Sequence, residues 1–261
     1  MNPIDKRLQK DKPVLSIYFT AGYPRLESTL DILDALESAG TDLIEIGMPF
    51  SDPIADGPTI QRSSKIALEN GISLKKLFNQ LESRDHKAAI VIMGYLNPVL
   101  KYGMKNFLKD CQKCGVSGVI LPDLPIEEYE KDYAHLFNQF GIYPVFLVTQ
   151  ATNQERLDKI IALSKGFIYF VSTNTTTGTR QAAFDDPKIQ NRMAYIRSKK
   201  PVIIGFGISD SESFQKACSL ANGAIIGSAY INALGKGYSK IRETTEQFIQ
   251  SIRESSYDHS I

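Results

Sequence analysis

Residues 41–58 read Thr41-Asp-Leu-Ile-Glu-Ile-Gly-Met-Pro-Phe-Ser-Asp-Pro-Ile-Ala-Asp-Gly-Pro58, and the rest of the chain follows from them. The first part, up to Gly47, is an apolar run of strand length. The second part is crowded with prolines and carries Gly57, so it neither continues as a regular strand nor opens as a regular helix. Three carboxylates lie in or beside this loop: Glu45, Asp52 and Asp56. Glu45 sits between Ile44 and Ile46, where an ionised carboxylate is costly unless something uses it.

Working outward, the same unit recurs. Short apolar runs occupy 14–20, 42–47, 88–93, 119–121, 143–148, 167–171, 202–204 and 224–226. Helical patterns follow them at 26–40, 60–70 with 74–83, 104–114, 126–140, 154–163, 188–199, 210–220 and 229–254, the last interrupted near Gly235 and Gly237. A short extra helix leads the chain at 2–11. Near-continuous apolar strands alternating with helices predict a parallel sheet covered on both faces. Eight such units predict one α/β domain over 1–261, a closed (β/α)8 TIM barrel. An open doubly wound sheet is the alternative. Against it, strand one is followed by Thr20-Ala-Gly-Tyr-Pro rather than a dinucleotide-binding glycine loop.

Composition narrows the function classes. The chain has 261 residues, 43% hydrophobic and 23% charged, the ordinary mix of a soluble globular protein. Lys+Arg total 30 against 29 for Asp+Glu, so no charge excess points to nucleic acid or a membrane surface. No apolar run reaches membrane-spanning length, and the N-terminus lacks a signal-like apolar core. Three cysteines argue against a disulfide framework and fit a cytoplasmic setting. Cys111 and Cys114 form a C-x-x-C inside a helical pattern without partners for a metal site, so both read as structural. His86, His135 and His259 read as solvated surface residues.

In a barrel the chemistry gathers where strands end at their C-terminal side. That rule brings together Glu45, Asp56, Asn97, Asp123, Tyr169 and Thr177. Gly205-Phe-Gly-Ile-Ser-Asp follows strand seven, and Gly227-Ser-Ala follows strand eight. Each opens a helix. Glycines admit an oxyanion close to the backbone, and helix N-termini offer free N–H groups, so the pair predicts a phosphate site. The plainer reading makes these glycines tight turns, with Ser209 and Ser228 as helix caps. Glu45 has an equally plain reading as a structural carboxylate, and Asp56 as an Asx-turn before Gly57. If Glu45 is catalytic, its flanking isoleucines raise its pKa towards neutrality, as suits a group that gives and takes a proton. Asp52 reads as a turn residue. The long polar loop 173–181 is a candidate lid.

The stretch Glu45-Ile-Gly-Met-Pro-Phe-Ser-Asp-Pro-Ile-Ala-Asp-Gly-Pro-Thr-Ile-Gln resembles the signature of the tryptophan synthase alpha chain family. Phe19-Thr-Ala-Gly-Tyr-Pro, Gly94-Tyr-Leu-Asn-Pro, Leu121-Pro-Asp-Leu-Pro, Gly205-Phe-Gly-Ile-Ser and Gly227-Ser-Ala occur in that family's order and spacing. The resemblance runs from about Leu15 to Ile249. It implies a lyase that cleaves indole-3-glycerol phosphate to indole and glyceraldehyde 3-phosphate by a retro-aldol reaction in tryptophan biosynthesis. It implies no cofactor or metal in this chain, with pyridoxal phosphate held by a beta chain in an α2β2 complex.

By position, the resemblance makes Glu45 the general acid/base and Asp56 the partner of the indole N–H. Tyr169 then lines the site near Glu45, and Thr177 comes from the closing loop to meet Asp56. Gly178, Gly207, Gly227 and Ser228 take the phosphate. Tyr18, Met93, Ile120 and Leu147 line the indole pocket. Loops 49–58 and 172–185 touch the beta chain. Two departures stand out: Thr175-Thr-Thr-Gly replaces the family's usual Gly-Val-Thr-Gly, and Val148-Thr-Gln-Ala replaces prolines after strand five. Two other readings remain at this point. One is a different phosphate-binding barrel, such as a relative of indole-glycerol-phosphate synthase, though the strands carry no catalytic lysine. The other is a non-enzymatic barrel kept as an allosteric partner.

Overall fold

A computed structural model describes residues 1–10, 12–82, 85–171, 184–205, 207–237 and 239–254. Nine strand segments form a single parallel sheet: β1 (Val14–Thr20), β2 (Leu43–Gly47), β3 (Ala89–Met93), β4 (Val116–Ile120), β5 (Tyr143–Pro144), β6 (Leu147–Thr149), β7 (Ile168–Val171), β8 (Val202–Gly205) and β9 (Gly223–Ile226). Their order is β5-β4-β3-β2-β1-β9-β8-β7-β6. The two ends of this order are consecutive pieces of one strand, predicted as 143–148. β5 pairs with β4, and β6 pairs with β7. Between them, the Val145 N–H donates to the Val119 carbonyl at 2.9 Å, and the Tyr169 N–H donates to the Phe146 carbonyl at 3.0 Å. The strand thus hands its pairing from one neighbour to the other, and the sheet closes into the eight-stranded barrel. Pro144, which lacks an N–H, stands where the ladder breaks.

β1 to β4 and β7 to β9 are buried along nearly their whole length, as parallel strands covered on both faces should be, while β5 and β6 are partly buried. Helices from the alternating segments pack around the outside. The leading helix, Pro3–Leu8, is shorter than predicted and closes the barrel floor. Asn2 caps it by accepting from the Ile4 N–H at 2.9 Å, and its side-chain amide donates to the Ser117 carbonyl at 2.9 Å. Ile4 is fully buried, and a Cβ at Gly118 or Gly166 would fall 2.9 Å from it. Only glycine leaves room for that plug.

Three sequence expectations change here. The Gly94-Tyr-Leu-Asn-Pro segment, which falls between the predicted strand 88–93 and the predicted helix 104–114, carries a helix of its own at Leu96–Tyr102. Pro98 falls in its first turn, where a missing N–H costs nothing, and Asp123 caps it by accepting from the Leu96 N–H at 2.9 and 3.0 Å. The helix predicted over 126–140 widens to a π turn at Tyr129–Tyr133. The turn accompanies the burial of Tyr129 edge-on to both Phe137 and Phe146, with ring centroids 5.3 and 5.0 Å away. His86 is not a solvated residue: its side chain is 4% exposed and lies 3.9 Å from Glu37 Oε1. His135 is exposed, and His259 lies outside the described residues.

Candidate active site

Glu45 lies mid-β2, opposite Tyr18 of β1 and Val91 of β3, with no exposed surface. The Ser16 hydroxyl donates to Oε1 at 3.1 Å. Oε2 has no hydrogen-bond partner among the described residues. Burial pushes the Glu45 pKa up to about 8, with the Ser16 hydrogen bond pulling weakly the other way. At neutral pH this carboxyl is mostly protonated.

Asp56 sits in the loop that runs from β2 into the helix Pro58–Glu69. The Tyr95 hydroxyl donates to its Oδ2 at 3.0 Å and accepts from the Ala55 N–H at 3.0 Å. The Tyr95 ring stacks on Phe50, centroids 5.1 Å apart. Burial raises the Asp56 pKa, and the Tyr95 hydrogen bond opposes that rise. Tyr95 itself was not singled out in sequence, although it lies inside the quoted Gly94-Tyr-Leu-Asn-Pro motif. Asp52 is exposed and, among the described residues, makes only local turn contacts, to the Ser51 hydroxyl and through its carbonyl to the Ile54 N–H.

A cavity of about 470 Å³ opens at the C-terminal ends of the strands. Tyr18, Asp56, Met93, Tyr169, Gly207, Gly227 and Ser228 all line it, so seven residues singled out from sequence converge there. Ile208, Ser209, Ile225 and Asn232 join them. Ile120 is fully buried on β4 beside Met93, and Leu147 pairs with Tyr169; neither reaches the cavity wall. Glu45 does not line the wall either. Thr177 and Gly178 lie outside the described residues.

Two tyrosines make the floor. A Cβ at Gly47 would stand 2.1 Å from the Tyr18 hydroxyl, and one at Gly205 would stand 2.1 Å from the Tyr169 hydroxyl. Each ring therefore lies flat over a neighbouring strand only because that strand carries glycine. Burial, then the nearby carboxylates, raises both phenol pKa values, so both stay neutral. At the far end, Gly227 caps the helix Ser228–Lys236 without a side-chain bond, and Gly57 does the same for Pro58–Glu69. Both N-termini leave backbone N–H groups and a positive dipole end near the cavity, an environment suited to an anion. The helix Ser211–Leu220 is capped by Asp210, not by Ser209. Among the described residues, no cluster of three or more His, Cys, Asp or Glu could hold a metal ion, and no helix is long and apolar enough to cross a membrane.

A closed parallel barrel with a buried proton-holding carboxyl under a cavity at its strand ends belongs to the TIM-barrel enzymes. The family model for the tryptophan synthase alpha chain matches residues 4–259. The tryptophan synthase alpha chain of Christiangramia forsetii is 48% identical over 239 residues, covering 90% of this chain and 93% of its own. The crystal structure of tryptophan synthase subunit alpha from Legionella pneumophila superposes with a TM-score of 0.87 at 32% identity, covering 97% of each chain. The tryptophan synthase complex from Pyrococcus furiosus aligns with a TM-score of 0.79 at 33% identity, over 92% of this chain and 98% of that one. This chain belongs to the tryptophan synthase alpha chain family, a family of lyases.

Proposed function

We propose that the barrel carries the family's reaction, the cleavage of indole-3-glycerol phosphate to indole and glyceraldehyde 3-phosphate, with Glu45 and Asp56 as its working carboxyls. The observation that carries this reading is Glu45: a fully buried carboxyl that holds its proton near pH 7. Cleavage needs a proton on indole C3, which makes the ring an electron sink. Glu45 supplies it as general acid. Positive charge then develops at the indole N–H, and Asp56 stabilises it. The Glu45 carboxylate next takes the proton from the glycerol hydroxyl. The C–C bond breaks, its electron pair returns to the ring, and the hydroxyl carbon becomes the aldehyde.

The remaining residues bind and enclose. Tyr18, Met93 and Tyr169 supply apolar wall for the indole, joined by Ile120 and Leu147 behind it. Gly207, Gly227 and Ser228 receive the phosphate, with Gly178 and Thr177 contributed by the closing loop. Proton transfer and charge stabilisation suffice for this chemistry. The reading therefore assigns no cofactor or metal to this chain and leaves pyridoxal phosphate to the partner.

That partner is a tryptophan synthase beta chain, in an α2β2 assembly. The likeness to chains from tryptophan synthase complexes supports it, and so does Ile54, a large apolar residue 89% exposed in the loop beside Asp56. We take the chain as one barrel domain working in the cytoplasm, where the free thiols of Cys111, Cys114 and Cys218 are at home. The test is indole release from indole-3-glycerol phosphate by the purified chain, with and without a beta chain. Turnover that the partner stimulates and Glu45→Gln abolishes is the expected result. Undiminished turnover in Glu45→Gln would remove the acid/base assignment.

A further inference from the structure

We propose that Ser16 is a positioning residue that parks the Glu45 carboxyl below the cavity between turnovers. The inference rests on the acid/base reading of Glu45 but is tested apart from it. In the parallel register of β1 and β2, Tyr18 stands opposite Glu45, and Ser16 stands opposite Leu43. Ser16 is thus two residues nearer the barrel floor than the Tyr18–Glu45 pair. The Ser16 hydroxyl donates to Glu45 Oε1 at 3.1 Å, so the carboxyl is turned down the barrel, away from the mouth.

The cavity confirms the direction. Tyr18 and Tyr169 line it, yet Glu45 and Ser16 do not. Both Ser16 and Glu45 are fully buried, and Oε2 finds no hydrogen bond among the described residues. One hydroxyl is therefore the polar anchor of a buried carboxyl. To reach a substrate in the cavity, that carboxyl must break the Ser16 bond and rotate past the tyrosine rings. Parking gives the group a partner while the site is empty and leaves Oε2 unsatisfied, so the resting state is not a deep trap.

The titratable groups facing Glu45 are few. Tyr18 on β1 and Tyr169 on β7 feel its charge, and both remain neutral. Asp56 acts on the same two tyrosines from the loop after β2. β3 presents Val91, which does not titrate. Removing the Ser16 hydroxyl therefore changes one interaction of the charged form and leaves no compensating group nearby among the described residues.

The experiment follows the Glu45 carboxyl directly. Protein labelled with carboxyl-13C glutamate is titrated by NMR, and the Glu45 signal is identified by its loss in Glu45→Gln. In Ser16→Ala the titration midpoint is expected to rise by about one pH unit, a tenfold change in proton affinity. Ser16→Thr keeps the hydroxyl and should bring the midpoint back. KM for indole-3-glycerol phosphate should stay as in the parent, because Ser16 lies below the cavity. An unmoved midpoint in folded Ser16→Ala, or a raised KM with an unmoved midpoint, overturns the proposal. If Glu45→Gln still turns over substrate while Ser16→Ala moves the midpoint, the parking contact stands and the acid/base reading falls.

Discussion

The Tyr95 hydroxyl donates to Asp56 Oδ2 at 3.0 Å while accepting from the Ala55 N–H at the same distance, so one phenol oxygen holds both the carboxyl and the backbone of its loop. Stacking on Phe50 fixes the ring that does this. Tyr95→Phe keeps the stack and deletes both bonds. A hydrogen bond to a charged group is worth roughly 1.5–3 kcal/mol, so kcat/KM for indole release should fall about tenfold to a hundredfold. The Asp56 pKa, already raised by burial, should rise further once the opposing bond is gone. The acid limb of the pH–rate profile then moves to higher pH. Parent-like kinetics with a lowered Tm would mean that Tyr95 only braces the loop.

Glu45 makes stability depend on pH in a direction opposite to that of a salt-bridged acid. Its folded pKa is about 8, well above the ordinary carboxyl value of 4.5, so between these two the folded state holds a proton that the unfolded state has released. Stability therefore falls as pH rises from about 4.5 to about 8 and levels off above that. The full cost is on the order of a few kcal/mol. Glu45→Gln carries no titrating group, so its melting temperature should decline less steeply between pH 5 and pH 8 than that of the parent. Thermal melts of the two proteins across that range decide the matter, and parallel curves would show that Glu45 titrates normally.

What the residues announced in advance follows from what local pattern encodes. Eight apolar runs separated by helical patterns specify a parallel sheet, and that was legible because each run is buried on both faces. The barrel's closure was less so, because it depends on Val145 and Phe146 handing hydrogen bonds from one neighbour to the other across Pro144, a tertiary event. Glu45 was legible as a misfit between isoleucines. Ser16 was not, since a serine in an apolar strand looks like any small residue until the register sets it beside Glu45. Tyr95 was hidden for the same reason: its bond to Asp56 spans 39 residues of sequence. His86 was misread because polar neighbours in sequence say nothing about Glu37 packing over it.

Glycine at 205 is set by Tyr169. A Cβ there would stand 2.1 Å from the phenol oxygen and 2.2 Å from Cε2, well inside contact distance. The pair belongs to adjacent strands, β7 and β8, so the backbone cannot open without losing ladder bonds. Gly205→Ala should therefore displace the Tyr169 ring, cost about 1–3 kcal/mol as other overpacked cores do, and depress indole release. In a Tyr169→Leu background the stability cost of Gly205→Ala should largely vanish, since the three atoms nearest to the added Cβ all belong to the Tyr169 side chain. A double-mutant cycle on denaturant midpoints measures the coupling. Additive effects would place the strain elsewhere.

Ile4 tests whether the leading helix is part of the barrel or an ornament on it. Its side chain is fully buried, wedged where a Cβ at Gly118 or Gly166 would come within 2.9 Å. Asn2 fastens the helix from the other side through the Ser117 carbonyl, and the Tyr143 hydroxyl donates to Asp5 at 2.7 Å. Ile4→Ala removes three carbons from a site walled by strands that cannot collapse inward, because they are hydrogen-bonded around the ring. The cavity left behind should cost about 2–5 kcal/mol. At roughly 2–4 °C per kcal/mol for a chain of this size, Tm should drop by about 4–20 °C. Indole release assayed well below the transition should persist, because Ile4 is not among the residues that line the cavity. A variant that melts with the parent would show that the barrel is closed without its plug.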